Sequence, residues 1–368
     1  MKRMQSLDIV RGLIMVLMAI DHVRVYSGVP AGGPDPAIFF TRWVTHFCAP
    51  GFAFFAGTAA FLYGLKVNDK QKLASYLFTR GLMLVVLEFT LIRLCWTFNL
   101  NLSEFMLAGV IWMLGICMIL LGLVVRLEAR TVAIIGLTII FGQQLFALVS
   151  PLLPGSIRPY WEFIYSSGAE GPSWVAILYV IVPWIGVMMA GYGFGKILIL
   201  EESKMRRYCH VIGAGAIAAF ILFGIIFMKE NDMPFILRLL NQQKYPASQL
   251  YLLMTLGPLI ALIPYAEKMK GAVAGFFRVM GSVPFFYYLL HIPLIHITAV
   301  IINMILFGNA HHEWYHIAPF AQVPPENMWD LPLLYIAFVI DVALLYVACR
   351  WYADFKIKNP QLAWTKFI

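Results

Sequence analysis

Long apolar stretches of about 20 residues alternate with short polar segments along the chain, and a stretch of that length can cross a bilayer as an α-helix. The pattern predicts ten spans. Their ranges are 8–27, 41–65, 75–98, 104–125, 131–150, 173–198, 208–228, 247–266, 283–307 and 330–355. Segment 267–280 is shorter and amphipathic, which favours the membrane interface or a re-entrant turn. The expected fold class is all-α, a polytopic transmembrane helix bundle.

Composition agrees with this pattern. Of the 368 residues, 61% are hydrophobic and 12% are charged, whereas soluble domains carry about 25% charge. No soluble segment is left over, so residues 1–368 are expected to form one domain within the lipid bilayer. The five cysteines have no paired spacing and lie mostly in apolar runs, which is typical of buried hydrophobic residues rather than of disulfides or metal ligands.

The distribution of Lys and Arg predicts the orientation of the spans. With the N-terminus in the cytoplasm, inner segments hold 20 of the 27 basic residues, outer segments hold six, and Arg93 lies within a span. Lys and Arg accumulate on the cytoplasmic side of membrane proteins, so both termini are expected there. The net charge of +8 then reflects orientation, and no nucleic-acid partner is expected. Outer loops 28–40, 151–174 and 308–330 are long enough to form a lid or to anchor in the interface.

The first span carries titratable groups at both ends. At 100° per residue, Asp8, Arg11 and His22 share one helix face, and Arg11 lies roughly 16 Å from His22 along the axis. One face therefore presents a cation near the cytoplasm and an imidazole near the outer surface. Asp21 precedes the imidazole in the sequence.

Two further histidines lie within predicted spans. His46 is near the outer end of the second span, and Pro284 and Pro293 bracket His291 in the ninth. Ionisable groups at membrane depth usually face a cavity or a partner. Together with His22, these side chains predict one shared polar cavity; a structural hydrogen bond is the alternative for any single one.

Small residues of the second span, among them Gly57, would let either a ligand or another helix approach closely. Glu88 and Arg93 of the third span are expected to pair within the bundle or with polar neighbours.

Several segments, taken in order, resemble bacterial membrane proteins related to the catalytic domain of heparan-alpha-glucosaminide N-acetyltransferase, within the wider group of transmembrane acyltransferases. They are "SLDIVRGLIMVLMAIDH", "FCAPGFAFFAGTAAFLYG", "WIGVMMAGYGFGKIL" and "GSVPFFYYLLHIPLIH". The resemblance covers nearly the whole chain. It implies a multi-pass protein of the inner membrane that moves an acetyl group from cytosolic acetyl-CoA to a sugar or glycan on the far side.

The resemblance has two departures. Loop 28–40 contains no histidine, although the animal enzyme has its proposed active histidine there, and the position of His22 resembles an Asn in that enzyme. His291 does match a histidine of the family.

These observations assign two groups of residues. His22, oriented by Asp21 and accompanied by His46 and His291, would act as a general base on an amine or hydroxyl, or would itself be transiently acetylated; imidazole suits both roles because it titrates near neutrality. The donor acetyl-CoA would be bound by four residues of the inner group: Asp8, Arg11, Arg80 and Gly57.

Alternatives remain for both the inner group and the function. Asp8 and Arg11 could instead form an interfacial ion pair that anchors the first helix. No metal is expected, and a homodimer remains open. The alternative function is a transporter or flippase, in which the polar stripe would line an alternating-access path.

Overall fold

The computed structural model describes residues 4–101, 104–166, 168 and 170–366. Its main elements are helices, which confirms the all-α class for this part of the chain, and two-residue strands β1 (Leu107–Ala108) and β2 (Ala176–Ile177) pair in parallel. The helices are α1 Gln5–Ser27, α2 Pro36–Trp43, α3 Cys48–Val67, α4 Lys70–Leu87, α5 Arg93–Thr97, α6 Val110–Val124, α7 Ala129–Phe141, α8 Arg158–Trp161, α9 Trp184–Leu198, α10 Glu202–Ile226, α11 Phe235–Leu240, α12 Gln249–Lys268, α13 Gly271–Ser282, α14 Pro284–Phe307 and α15 Leu331–Lys358.

Five helical segments of the described chain are long and apolar enough to cross a membrane, and a sixth is obtained if two segments that meet at a 61° bend form one span. The five are Pro36–Val67, Glu202–Ile226, Gln249–Lys268, Pro284–Phe307 and Leu331–Lys358; the bent pair is Ala129–Phe141 and Gln143–Leu152. The protein is therefore a multi-pass membrane protein. The count of ten spans and the orientation of the termini stay predictions.

Helix α1 is long enough to span, yet it is not among these five. The reason is its charged residues, which occur near both ends of the helix. Helix α1 ends because of the residue that follows it. Gly28 has a φ of 77°, a left-handed conformation that glycine adopts without strain.

Glycines bring the helices around α1 and α3 into backbone contact. On α1, a Cβ at Gly12 would lie 1.9 Å from the carbonyl oxygen of Phe277 on α13. On α3, a Cβ at Gly57 would lie 1.9 Å from the carbonyl oxygen of Met188 on α9. Most of α13 comes from segment 267–280, and this helix packs against α1. Such close packing by small residues is common between membrane helices.

Candidate active site

Two cavities lie along the same face of α1. One, the histidine cavity, has a volume of about 280 Å³ and is lined by His22. The other, the arginine cavity, has a volume of about 370 Å³ and is lined by Arg11 and Arg80. Four residues line both of them and form the wall between: Met18, Phe52, Val110 and Tyr288. A path along α1 therefore leads from the guanidinium groups to the imidazole through this wall.

His22, which lines the histidine cavity, forms a hydrogen-bonded pair with His291. His22 Nδ1 lies 2.7 Å from His291 Nε2, and the two rings stack with centroids 4.8 Å apart. The predicted association of these two histidines is therefore seen in the structure. It depends on the contact between α1 and α14, which bring together residues 269 positions apart in the sequence.

The hydrogen bonds of His291 assign the tautomers of both rings. His291 Nδ1 lies 2.7 Å from the carbonyl oxygen of Tyr288, and a carbonyl oxygen can only accept. His291 Nδ1 therefore carries the proton, and its Nε2 is the acceptor of the pair. It follows that His22 Nδ1 donates to His291, which leaves His22 Nε2 with a free lone pair.

This arrangement is compatible with either protonation state of His22 Nε2. A proton arriving at His22 Nε2 produces an imidazolium whose Nδ1–H still donates to His291, so the pair keeps its hydrogen bond. A hydrogen bond to a charged donor is stronger than one between neutral groups. His291 is fully buried, and its hydrogen bond fixes the orientation of the His22 ring.

Asp21 has a different partner from the predicted one. Its Oδ1 accepts a hydrogen bond from Nε of Arg24 at 2.9 Å and forms an ion pair with Nη2 of the same side chain at 2.9 Å; Arg24 also donates to the carbonyl oxygen of Val29. Neighbouring helical residues point about 100° apart, which places the Asp21 carboxylate beside the next turn and not over the imidazole. The ring of His22 is oriented by His291.

His46 lies apart from the other two histidines. Its Nδ1 is 2.9 Å from the carbonyl oxygen of Arg42, one turn earlier, and its ring packs beside Tyr251 at a centroid distance of 5.3 Å. Among the described residues that line the histidine cavity, His46 is absent, whereas Arg42 and Thr45 are present. The prediction that three histidines share one cavity is therefore wrong: His22 lines it, His291 is joined to it only through the hydrogen bond to His22, and His46 binds a carbonyl of its own helical segment.

The arginine cavity contains two of the four residues predicted to bind the donor. Arg11 Nη2 donates to the carbonyl oxygen of Phe55 at 2.6 Å, and Arg80 Nη1 donates to the hydroxyl of Tyr76 at 3.1 Å. Asp8 is buried at 6% exposure and is not part of the described lining of this cavity.

Gly57 does not reach the arginine cavity either. The backbone of α9 occupies the space beside it, so the prediction of a cofactor contact there is wrong and the alternative, close helix packing, is the role this glycine has.

Lys244 is a residue of the histidine cavity that sequence reasoning missed. It lies in the loop before α12, is 8% exposed, and places its ammonium 5.2 Å from the ring centroid of Tyr245. Burial by itself lowers the pKa of Lys244, but Tyr245 and Asp21 raise it more, and the net change is upward. The lysine is therefore a cation in the cavity. In the sequence, Lys244 is counted only as one of the six basic residues in outer segments and is assigned no role in a site.

Glu88 also borders the histidine cavity. Its Oε2 accepts from the backbone N–H of Trp112 at 3.1 Å, at the N-terminus of α6, where a helix favours negative charge. Gly109 makes the approach possible, because a Cβ there would lie 2.3 Å from Glu88 Oε1. Arg93 donates to backbone carbonyls, including that of Phe105 at 2.8 Å, so both groups use polar neighbours as expected.

Two of the loops that are predicted to lie on the outer side contribute to this cavity. Ala31 comes from loop 28–40, and Pro319 and Phe320 come from loop 308–330. These contacts are compatible with the predicted lid. Within the described residues, no group of three or more His, Cys, Asp or Glu side chains is arranged to hold a metal ion.

Comparison with known proteins identifies the family of this chain. Residues 3–228 match the family described as heparan-alpha-glucosaminide N-acetyltransferase, catalytic, which confirms the resemblance seen in the sequence. The match includes Arg11, His22 and Arg80, and His291 lies beyond it. No curated protein matches the chain. Since the matched range covers more than half of the chain, this protein belongs to the family of heparan-alpha-glucosaminide N-acetyltransferase catalytic domains, an acetyltransferase-type family of membrane proteins.

Proposed function

We propose that this protein transfers an acetyl group from cytosolic acetyl-CoA to an amine or hydroxyl of a sugar acceptor on the outer side of a bacterial inner membrane. One observation carries the proposal: a cavity with two arginines and a cavity lined by His22, which is hydrogen-bonded to His291, share a wall along one helix face. A soluble donor and an acceptor on opposite sides of a membrane would need such an arrangement.

The arginine cavity suits the donor. Guanidinium groups bind phosphate oxygens with two parallel hydrogen bonds, so Arg11 and Arg80 would hold the phosphates of CoA. The rest of the lining includes apolar side chains such as Ala59, Leu84 and Leu114, against which the flexible pantetheine arm would lie. The cavity volume of about 370 Å³ falls within the range of about 300–1,000 Å³ of small-molecule sites.

His22 would perform the proton transfer. Its Nε2 accepts the proton of the acceptor amine or hydroxyl as the acceptor atom forms a bond to the thioester carbonyl carbon. The carbon–sulfur bond then breaks, and the CoA thiolate takes the proton back from the imidazolium. His291 keeps its hydrogen bond to His22 throughout. If the reaction passes through an acetylated histidine, the same Nε2 would carry the acetyl group.

The wall between the cavities is where the two substrates would meet. Met18 lies one turn before His22 on the stripe of α1, and Tyr288 lies one turn before His291 on α14. The thioester would have to pass these side chains to reach His22 Nε2. Their position therefore makes them candidates for a gate that opens when acetyl-CoA binds.

Radiolabelled acetyl-CoA tests the proposal. Purified protein in liposomes would be given labelled acetyl-CoA on one side and glucosamine on the other, and label on glucosamine is expected. His22→Ala should lower turnover about 10²–10⁴-fold, the usual contribution of general acid–base catalysis, with acetyl-CoA binding nearly unchanged.

A matched control and two contrary outcomes complete the test. His296→Ala removes another buried histidine, which stacks on Phe98 at 3.8 Å, and should leave most of the activity. Unchanged turnover in His22→Ala would refute the role of His22. Movement of the sugar into the vesicles without acetylation would instead support the transporter alternative.

A further inference from the structure

A third cavity lies away from the histidine and arginine cavities, at the end of α10. This groove, the α10 groove, has a volume of about 830 Å³. Its wall is built from the ends of α7 and α10, from α11, and from the first turn of α12. A volume of this size can hold a lipid headgroup together with the first part of its chains.

One side of the groove is apolar and faces outward. Phe223 is 43% exposed and Phe227 is 68% exposed, and Phe141 of α7 is 63% exposed beside them. Helix α10 is among the most outward-facing candidate spans, with 22% of its apolar window buried inside the protein. In a membrane protein such a surface contacts acyl chains rather than water.

The other side of the groove is cationic and rich in amides. Lys229 and Arg238 line it together with Asn241 and Gln242. Among the described residues, neither cation pairs with a carboxylate: Arg238 Nη1 lies 3.5 Å from the carbonyl oxygen of Asn231, and its Nε is buried without a hydrogen-bond partner. Within the part of the chain that the structure describes, the groove therefore holds two cations whose charge no carboxylate balances, and an anion placed there would balance it.

The nearby acidic residues do not fill this role. Glu230 and Asp232 belong to the same connection between α10 and α11, but they are exposed and are not part of the described lining. The groove thus combines a positive, hydrogen-bonding end with an apolar end open to the bilayer. An anionic phosphate that carries acyl chains matches both ends.

We propose that the α10 groove is a binding site for an anionic phospholipid, with the phosphate held by Arg238 and Lys229 and the acyl chains lying on Phe223 and Phe227. The site is independent of the transfer reaction. It is nevertheless close to it, since the loop before α12 directs Gln242 into the groove and Lys244 into the histidine cavity.

Native mass spectrometry can measure this binding. The detergent-purified protein would be incubated with phosphatidylglycerol or with phosphatidylcholine of the same acyl chains, and the lipid that stays bound would be counted. We expect preferential retention of phosphatidylglycerol. The double variant K229Q/R238Q should bind it about 10- to 100-fold more weakly, the effect of losing hydrogen bonds between charged groups.

The double variant K204Q/R207Q is the matched control, because it removes one Lys and one Arg from exposed positions at the opposite end of α10. It should retain phosphatidylglycerol like the parent. If K229Q/R238Q is not folded, K229Q alone serves, since Lys229 is exposed. Equal retention of the two lipids, equal loss in the control, or displacement of the lipid by inorganic phosphate would each overturn the proposal.

Discussion

Replacing His291 tests how much the orientation of His22, the proposed base, contributes to the rate, while His22 itself is left unchanged. His291→Leu removes the nitrogen that accepts from His22 Nδ1 at 2.7 Å and keeps an apolar side chain of similar size in a fully buried position. His22 itself is unchanged and lines the cavity, so turnover should fall without being abolished. The variant therefore asks how much the hydrogen bond contributes when His22 becomes charged.

The expected size of the effect follows from the strength of this hydrogen bond in its two states. A hydrogen bond between neutral groups contributes about 0.5–1.5 kcal/mol, and one to a charged group about 1.5–3 kcal/mol. Only the difference, about 1–2 kcal/mol, is lost from the transition state relative to the ground state, which corresponds to about a 5- to 30-fold decrease in kcat. This is smaller than the effect expected for His22→Ala.

The assay is single-turnover transfer of labelled acetyl together with equilibrium binding of acetyl-CoA. The rate should fall while the Kd for acetyl-CoA stays within about twofold of the parent, because Arg11 and Arg80 are untouched and well-separated sites act independently. His291→Gln should recover part of the rate, since its side-chain oxygen can accept from His22 Nδ1. Nitrogen-15 NMR of labelled histidine should show His22 protonated on Nδ1 in the parent and in His291→Gln.

His296→Leu controls for the loss of a buried imidazole on the same helix. His296 is also fully buried, but its Nδ1 contacts the carbonyl oxygen of Cys95 at 3.4 Å and not the ring of His22. Its rate should stay within a few fold of the parent. The assignment would be refuted by full activity of His291→Leu, or by a loss in His291→Leu larger than that in His22→Ala, which would make His291 the base.

Three further predictions concern other parts of the structure. Arg11→Gln should weaken acetyl-CoA binding by about 1.5–3 kcal/mol, measured by calorimetry, because a charged hydrogen bond is lost; unchanged affinity would favour the anchoring role of this arginine. Gly57→Ala should lower the melting temperature, because a Cβ at this position would lie 1.9 Å from the carbonyl oxygen of Met188. The expected loss of stability is about 1–3 kcal/mol, the usual cost of overpacking. If Gly57 served only to bind the donor, stability would be unchanged. A cysteine placed at Asp35 should react with an impermeant reagent from outside, and one at Lys70 only after permeabilisation; outside labelling at Lys70 would contradict the predicted orientation.

Features that depend on local periodicity were visible in the sequence. The stripe that joins Arg11 to His22 is a consequence of the 100° step between helical residues, and both side chains line cavities on one face of α1. Most apolar runs likewise marked helices, because backbone groups in a bilayer must be satisfied within the segment; the runs 104–125 and 173–198 were predicted too long, since each begins with a non-helical part that contains β1 or β2. The family resemblance was carried by the same helices, and it was confirmed.

Features that depend on which helix lies beside which could not be read from the sequence. Small residues such as Gly57 permit approach by a ligand or by a helix, and only the backbone of α9 decided the choice. His46 could have pointed toward the cavity, but a carbonyl one turn earlier binds its ring.

The partner of His22 was decided in the same way. A local reading favoured the adjacent Asp21, whereas the packing of α14 against α1 supplies His291, and the loop before α12 adds Lys244 to the cavity. The face of a helix on which a residue lies depends on a few neighbouring residues, so it can be predicted from a single segment. The pairing of side chains hundreds of residues apart depends on the packing of the whole bundle, and only the tertiary structure contains it.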